Sequence, residues 1–384
     1  MVAVVLAGAA PAAGQSNSYT FVKVNVPGST YTEATGVNNS GAVAGTYADA
    51  KGFVHGFVYS AGAYTTIDYP GALYTYVFGI NAAGQLTGGY SLTNPLGPYH
   101  GFIYQNGVFT EFDYPLNETD GRGINNLGQV VGIYNAGYGT PDHGFVKDGG
   151  TYTSLDFPGA PKTYTFGIND YGVITGTWVD ALNRLRGYWY FNGIFNSLNY
   201  PGALQTYAGG INNSHVITGW SQQGTLKSSY VVTSLASFRS FTVPFAGATA
   251  SLARAINDSG QVVGSYQSPE CARGCGFLAT PNPAALPACT QSVSLAYANN
   301  TLTMNFTIGA PTATTWNKYL YVNNVPYLLW SAALPPIAPA VSTSIPISLA
   351  PVGRVVALST LSTSTGGVIC ADYAVINTTP GGTP

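Results

Sequence analysis

A small set of charged and aromatic side chains stands out in a chain that is poor in charge, since only 7% of its 384 residues are Asp, Glu, Lys or Arg. Seven of them lie one or three residues before a recurring Gly-Ile-Asn tripeptide: Glu33, Tyr76, Asp120, Arg122, Tyr164, Tyr207 and Arg254. Tyrosine rings and guanidinium groups suit a small polar ligand such as a sugar, because they offer flat apolar faces and hydrogen-bond donors. We therefore expect these seven residues to bind a ligand.

Glu33 and Asp120 also raise the alternative of catalysis. Glycoside hydrolysis uses two carboxyl groups whose separation decides between inverting and retaining chemistry, so a carbohydrate-active enzyme is a second interpretation. The sequence has no Gly-x-Ser-x-Gly elbow, no His-Glu-x-x-His and no phosphate-binding loop. We therefore favour a binding or scaffold module over an enzyme and expect no cofactor.

The elements that position these residues are repeats. The Gly-Ile-Asn tripeptide or a near copy recurs six times in steps of 43 to 45 residues, ending at Asn38, Asn81, Asn125, Asn169, Asn212 and Asn257. A period in this range is typical of stacked or circular arrays of one supersecondary unit. The fourth copy contains four short β-rich runs that end near Asn169, Trp178, Tyr190 and Tyr200, with Asn192-Gly193 as a hairpin turn. Each unit is therefore predicted to be a four-stranded meander, and the array a six-bladed β-propeller.

The ends of the array favour a closed ring. The segment Tyr19–Gly28 matches a fourth strand, whereas the sixth copy ends near Ala279 before any fourth strand. The N-terminal strand should therefore complete the last blade, which leaves no unpaired edge at the seam.

The seven candidate residues should share one face of the array. Positions one and three residues before the repeat glycine have the same parity along a strand, so their side chains point the same way. Arg122 and Arg254 belong to copies three and six, which are opposite blades in a six-fold ring. The pattern predicts a polar, aromatic-lined pocket at the mouth of the central channel.

Residues that recur at equivalent positions in several copies are better explained by architecture. The prominent ones are His55, His100 and His143 at the start of third strands, and Asp68, Asp113 and Asp156 at the end of fourth strands. Ligands of one zinc lie within about 4 Å of each other, whereas neighbouring sheets are about 10 Å apart, so we expect no metal site. The aspartates are expected to cap the Pro-Gly turn that follows. The tripeptide asparagine should bond to its own hairpin, and the strand-two aromatic residues should pack between blades.

The runs Gly79–Gly88 and Gly123–Gly132, followed by His100-Gly101-Phe102 and His143-Gly144-Phe145, resemble the HAF family of extracellular repeats in bacterial secreted proteins. The resemblance covers about residues 19–280. Copies four to six depart from it, with Arg186, Ser228 and Cys275 in place of histidine. It implies export and a repeat array, and it carries no catalytic residues to this chain.

The chain outside the repeats suggests two further segments. Residues 1–16 contain an apolar run, Val2–Ala10, followed by small residues, as in a secretory signal. The propeller should span residues 17–281, and residues 282–384 contain strand-like runs that predict a small immunoglobulin-like β-sandwich. Cys271 with Cys275 and Cys289 with Cys370 are candidate disulfides for an oxidising compartment, with zinc binding as the alternative for the Cys-x3-Cys pair.

Composition limits the partners. A net charge of −2, from 13 basic and 15 acidic residues, argues against nucleic acid and against electrostatic attachment to membranes. No segment is long and apolar enough to suggest a membrane span. We expect a secreted, cell-surface protein that binds a glycan or another neutral polar ligand, and self-assembly into a filament is a further alternative.

Overall fold

The computed structural model describes residues 19–282 apart from positions 94, 96, 116 and 234–236, and beyond them the backbone of seven strands between 290 and 378. The chain divides into two compact units, with a boundary between Pro281 and Asn282. The described residues form strands and turns and no helix, which confirms the all-β class. It follows that no helix in this part of the chain could cross a membrane.

The first unit contains 24 strands among its described residues, in two four-stranded and two eight-stranded sheets. Each eight-stranded sheet consists of two antiparallel meanders joined by one parallel contact, between Val54 and Tyr74 or between Lys227 and Ala250. Strand β1 spans Tyr19–Val24. The first two meanders are β2 (Tyr31–Val37), β3 (Val43–Ala48), β4 (Val54–Ser60) and β5 (Ala63–Ile67), then β6 (Tyr74–Ile80), β7 (Leu86–Ser91), β8 (His100–Gln105) and β9 (Val108–Phe112). The next two are β10 (Glu118–Ile124), β11 (Val130–Asn135), β12 (His143–Asp148) and β13 (Thr151–Leu155), then β14 (Thr163–Ile168), β15 (Ile174–Val179), β16 (Leu185–Phe191) and β17 (Ile194–Leu198). The last strands are β18 (Gln205–Ile211), β19 (Ile217–Gln223), β20 (Leu226–Thr233) and β21 (Ser237–Phe241), then β22 (Ala250–Ile256), β23 (Val262–Gln267) and β24 (Cys275–Pro281).

The last meander takes its fourth strand from the other end of the unit. Strand β1 pairs antiparallel with β24, in a register that runs from Tyr19 opposite Pro281 to Val24 opposite Gly276. This is the pairing that the sequence predicts. It joins the first described strand of the unit to the last and leaves the outer edge of β24 covered.

The tripeptide asparagines link the meanders into a closed cycle. Each side-chain Nδ2 donates to the backbone carbonyl of the next tripeptide asparagine, over 2.9–3.2 Å, and Asn257 donates back to Asn38. Within its own turn, Oδ1 of Asn169 accepts the backbone N–H groups of Tyr171 and Val173. The predicted bond to the asparagine's own hairpin is confirmed, and the bond to the next repeat is an addition that the sequence did not indicate.

At the repeat position, which is glycine in five copies and Ala255 in the sixth, the first strands of neighbouring meanders approach backbone to backbone. A Cβ atom on Gly210 would lie 2.8 Å from the Cα atom of Ala255, and one on Gly79 would lie 3.2 Å from the Cα atom of Gly123. Such distances leave no room for a side chain. The axis of the unit is therefore narrow at this level.

Aromatic stacks fill the space between meanders, as expected. The ring of Tyr69 stacks on Tyr90 of the next meander with centroids 3.6 Å apart, and Phe157 stacks on Trp178 at 4.3 Å. The largest fully buried side chains include Phe57, Phe102, Phe145, Tyr188, Tyr230 and Phe277, which occupy matching positions in the third strands. The core of the unit therefore repeats with the sequence.

The second unit has seven described strands in two antiparallel sheets. They are β25 (Thr290–Ala298), β26 (Thr301–Gly309), β27 (Thr315–Val322), β28 (Val325–Ala333), β29 (Val341–Ser348), β30 (Gly353–Ser362) and β31 (Val368–Thr378). One sheet has the order β25-β26-β29 and the other β28-β27-β30-β31. Cys289 and residues 1–18 lie outside the described residues.

Candidate ligand-binding cavity

A cavity of about 290 Å³ is lined by residues from the interior of the first strands of the six meanders. Its charged lining residues are Glu33, Arg122 and Arg254, and its aromatic ones are Phe78, Tyr164, Phe166 and Tyr207, with Thr35 and Ile133 completing the wall. Each of the six first strands contributes at least one of these side chains. The cavity is therefore a product of the whole array and not of any single repeat.

Five of the seven residues selected from the sequence line this cavity, and two do not. Tyr76 lies beside the wall, with its ring 5.9 Å from that of Phe78. Asp120 supports the wall by accepting a hydrogen bond from Arg122. Three further lining residues, Thr35, Phe78 and Phe166, were not among the seven predicted ones. They occupy the same aligned position as Arg122 and Arg254, one residue before the repeat glycine.

A local irregularity lies at that position. Every first strand shifts register against the second strand at this point, as between Ala34 and Gly36 or between Gly121 and Gly123. The residue skipped in five of these strands is the one at the variable position, including Thr35, Arg122 and Arg254. Half-buried and buried side chains still alternate through it, as along Tyr31–Val37. The β-bulge therefore leaves the variable position on the face that parity predicts, the face that lines the cavity.

Glu33 and Arg254 form a tightly held ion pair across the seam of the array. Arg254 Nε lies 2.7 Å from Glu33 Oε1, and Tyr31 donates its hydroxyl to Oε2 over 2.6 Å. Ser265 adds a third donor at 3.3 Å. Burial alone would raise the pKa of Glu33, but Arg254 and these hydrogen bonds hold it below its ordinary value. Burial likewise opposes the charge of Arg254, whereas Glu33 raises the pKa of the guanidinium.

Arg122 and Asp120 form a second ion pair, with Nη2 2.9 Å from Oδ2. The guanidinium lies over the ring of Phe78, 3.9 Å from its centroid, which fixes its plane. Burial raises the pKa of Asp120, and the attraction of Arg122 opposes this only in part. Asp120 Oδ1 and Arg122 Nε are both buried without a hydrogen-bond partner among the described residues. This pair is therefore less well satisfied than the pair of Glu33 and Arg254.

Aromatic rings form the opposite part of the wall. Phe166 lies between Tyr164 and Tyr207, with centroids 6.2 Å and 4.7 Å away. Tyr164 donates its hydroxyl to Asp142 Oδ2 over 3.2 Å, and burial together with this carboxylate raises the pKa of Tyr164 to about 12. Arg254 lies 4.9 Å from the ring centroid of Tyr207. The wall thus offers flat apolar faces edged by hydroxyl and guanidinium groups.

The arrangement does not favour Glu33 and Asp120 as an acid and base for hydrolysis. A general acid must hold a proton near the working pH, and the lowered pKa of Glu33 removes that proton. Burial raises the pKa of Asp120, but this carboxyl group does not line the cavity. Each carboxylate is instead engaged with an arginine.

The recurring histidines and aspartates pair with each other within a meander. Nδ1 of His100 lies 2.8 Å from Asp113, and equivalent contacts join His55 to Asp68 and His143 to Asp156. The prediction that these aspartates cap the Pro-Gly turn is wrong. A threonine at the start of the next first strand accepts the turn's N–H group instead, as Thr75 does from Tyr69 over 3.0 Å. The carboxylate lies within hydrogen-bond distance of the imidazole because the two strands are antiparallel. The histidine begins the third strand beside the point where the fourth strand ends, next to the aspartate.

The other end of the array carries a small polar cavity of about 70 Å³, lined by the tripeptide asparagines and the residues that follow them. Its side chains satisfy one another, since Asn213 Nδ2 contacts Asp170 at 2.8 Å and Asp258 at 3.0 Å. In the part of the chain that the structure describes, no three His, Cys, Asp or Glu side chains come together to hold a metal ion.

A disulfide lies beside the strand that carries Glu33. Cys271 and Cys275 are bonded, with Cα atoms 5.5 Å apart. The loop between them contacts the strand that carries Glu33, because Thr32 donates its backbone N–H to the carbonyl of Gly274 over 3.1 Å. This pairing agrees with one of the two predicted disulfides. The other, between Cys289 and Cys370, lies outside the described side chains.

Comparisons with known proteins give distant structural likeness. No protein-family profile matches the chain, and no curated protein does. Similar solved structures include a catalytically inactive virginiamycin B lyase from Staphylococcus aureus with quinupristin, at 15% identity, covering 69% of this chain and 100% of that chain with a TM-score of 0.42. Another is the Aleuria aurantia lectin in complex with Fucα1-6GlcNAc, at 11% identity, 75% and 97% coverage and a TM-score of 0.43. A third is the gluconolactonase XC5397 from Xanthomonas campestris, at 11% identity, 69% and 90% coverage and a TM-score of 0.42.

Proposed function

We propose that the first unit is a six-bladed β-propeller that acts as a binding module, and that its cavity takes one small polar ligand of about the size of a sugar ring. The observation that carries this proposal is the cavity itself, to which first strands of all six meanders contribute side chains. A site assembled in this way exists only when the array is complete.

The size and lining of the cavity support this proposal. Its volume of about 290 Å³ is close to the lower end of ligand pockets, which begin at about 300 Å³. Phe166 and Tyr207 line the cavity with aromatic surface against which a sugar can pack. Arg122 and Arg254 supply hydrogen-bond donors at the edge of those faces.

The scaffold supports preorganised binding. The asparagine cycle and the β1–β24 pairing tie the meanders together, and the close approach of the repeat glycines fixes the spacing of the first strands. A ligand that enters such a site orders few side chains, which lowers the entropic cost of binding. The interior of the array therefore suits recognition of a small, rigid molecule.

We further propose that the chain is an exported protein of the HAF repeat type, with residues 1–16 as the export segment. The Cys271–Cys275 disulfide supports an oxidising location. The second unit, which we assign to residues 282–384, would be an immunoglobulin-like sandwich. Its two antiparallel sheets of three and four strands support this assignment.

A glycan array followed by calorimetric titration of the full-length protein tests the binding function. Phe166→Ala removes a ring from the cavity wall and should weaken sugar binding by roughly tenfold, the effect of one lost stacking contact. Phe157→Ala is the matched control, because Phe157 stacks between meanders and does not line the cavity. Absence of binding across the array, or equal affinities for Phe166→Ala and wild type, would refute the proposal.

A further inference from the structure

We infer that the ligand carries a carboxylate group, as uronic acids and other acidic sugars do, and that Arg122 binds this group. The inference rests on the proposed function, since it concerns the same cavity. It narrows the ligand from polar sugars in general to acidic ones. Its basis is the unequal way in which the two arginines of the cavity are neutralised.

The pair of Glu33 and Arg254 is neutralised within the wall. Both side chains line the cavity, and their charged atoms are 2.7 Å apart. Tyr31 and Ser265 also donate to the same carboxylate, so its acceptor positions are occupied by the protein. This pair therefore adds little net charge to the cavity.

Arg122 differs because its counter-charge lies behind the wall. Arg122 lines the cavity and Asp120 does not. Asp120 Oδ1 lies against the backbone of the neighbouring strand, where a Cβ atom on Gly89 would come within 2.0 Å of it. The absence of a side chain at Gly89 therefore leaves space for the Asp120 carboxylate outside the cavity. Of this ion pair, only the Arg122 guanidinium lines the cavity, where a ligand can contact it.

Arg122 also has donors to spare. Among the described residues, its one hydrogen bond is the contact from Nη2 to Asp120, and because Nε is buried, the donors left for a ligand are those of the two terminal Nη groups. Phe78 covers one face of the group and holds its plane. A planar guanidinium held in this way matches the two oxygens of a carboxylate, which a point charge such as lysine does not.

The pKa shifts of neighbouring groups are consistent with positive charge at this part of the cavity. Burial raises the pKa of Tyr207, whereas the charges of Arg254 and Arg122 both act to lower it, so both guanidinium groups lie near this ring. Burial also raises the pKa of Asp120, which shows that Arg122 compensates this carboxylate incompletely. A ligand carboxylate would therefore enter a site in which Glu33 and Arg254 neutralise each other and Arg122 can donate to a second carboxylate.

Calorimetric titration with matched sugars tests the inference. The probes are galacturonic, glucuronic, mannuronic and guluronic acids, the methyl ester of each, and the neutral parent sugars. At least one acid should bind ten times or more tighter than its own ester, the effect of about one charge-assisted hydrogen bond. Arg122→Gln should bring this ratio close to one while the ester still binds. Arg186→Gln, which removes an arginine paired with Asp180 outside the cavity, should leave the ratio unchanged.

A second variant keeps the inference testable if Arg122→Gln does not fold. Asp120→Asn preserves the shape behind the wall and removes the competing charge, so it should tighten binding of the acid several-fold and leave the ester unaffected. Equal binding of acids and esters, or an acid preference that survives in Arg122→Gln, would overturn the inference and leave the binding function standing. Failure of all probes, acid and neutral, would overturn both.

Discussion

The ion pair between Glu33 and Arg254 should contribute strongly to stability, and Glu33→Gln tests this. The substitution keeps the shape of the side chain and removes the charge that three donors now contact, at 2.6 Å, 2.7 Å and 3.3 Å. It leaves Arg254, whose side chain is only 25% exposed, without its counter-charge. Breaking a buried ion pair in this way costs about 3 kcal/mol or more, a large part of the 5–15 kcal/mol that is typical of a whole domain.

The measurement is urea unfolding of the full-length protein, followed by near-ultraviolet circular dichroism between pH 7 and pH 3. The pKa of Glu33 is lower in the folded protein than its ordinary value of 4.5, so its contribution is fully present above that value. The contribution disappears as the pH falls through the folded-state pKa, because the protonated side chain then resembles glutamine. The difference in unfolding free energy between wild type and Glu33→Gln should therefore shrink in acid.

Glu270→Gln is the control for this experiment. Glu270 is 82% exposed and lies 3.9 Å from Lys23, so its removal should cause no measurable change. A double-mutant cycle with Arg254→Met isolates the interaction between the two partners. A coupling energy near zero, or a Glu33→Gln effect that stays constant down to pH 3, would show that this reasoning about the pair is wrong.

Three further predictions concern the scaffold. Asn169→Ala removes two turn bonds and one link of the asparagine cycle, so thermal unfolding should show a loss of about 2–4 kcal/mol. Gly210→Ala would place a Cβ atom 2.8 Å from the backbone of the next first strand and should lower the unfolding midpoint, whereas Gly150→Ala, in open space, should not. Replacing Cys271 and Cys275 by serine frees the loop that contacts the strand of Glu33, so calorimetry should show sugar binding weakened several-fold at unchanged stoichiometry.

Much of the fold could be predicted because its signals are local and repeat. The tripeptide spacing, the Asn-Gly hairpin signal and the match of the N-terminal strand to a fourth strand each depend on a few neighbouring residues. The pairing of β1 with β24 followed from counting strands. Local reasoning failed for the aspartates that follow the fourth strands, because each could pair either with the next turn or with a side chain across the hairpin. Asp113 was expected to cap the following turn, yet His100 lies across the hairpin and Thr119 accepts the turn's N–H group.

The candidate site was predicted less completely. Parity along a regular strand brought Glu33 and Arg122 to one face, and both line the cavity. Parity could not show which uncharged residues at the position before the glycine, such as Phe166, would line the cavity. It also could not show that Asp120 would lie behind the wall, since that depends on the absence of a side chain at Gly89 in another repeat.

The sequence by itself determined the four-stranded repeat. Its signals, hydrophobic alternation and turn glycines, each involve a few neighbouring residues and recur six times at a nearly constant period. Only the tertiary structure decided which charges meet. Arg254 and Glu33 are 221 residues apart and become neighbours because the array closes on itself. Arg122 pairs within its own strand and has its counter-charge outside the cavity. The depth of a side chain in a wall depends on how all six meanders pack, and no local pattern encodes it.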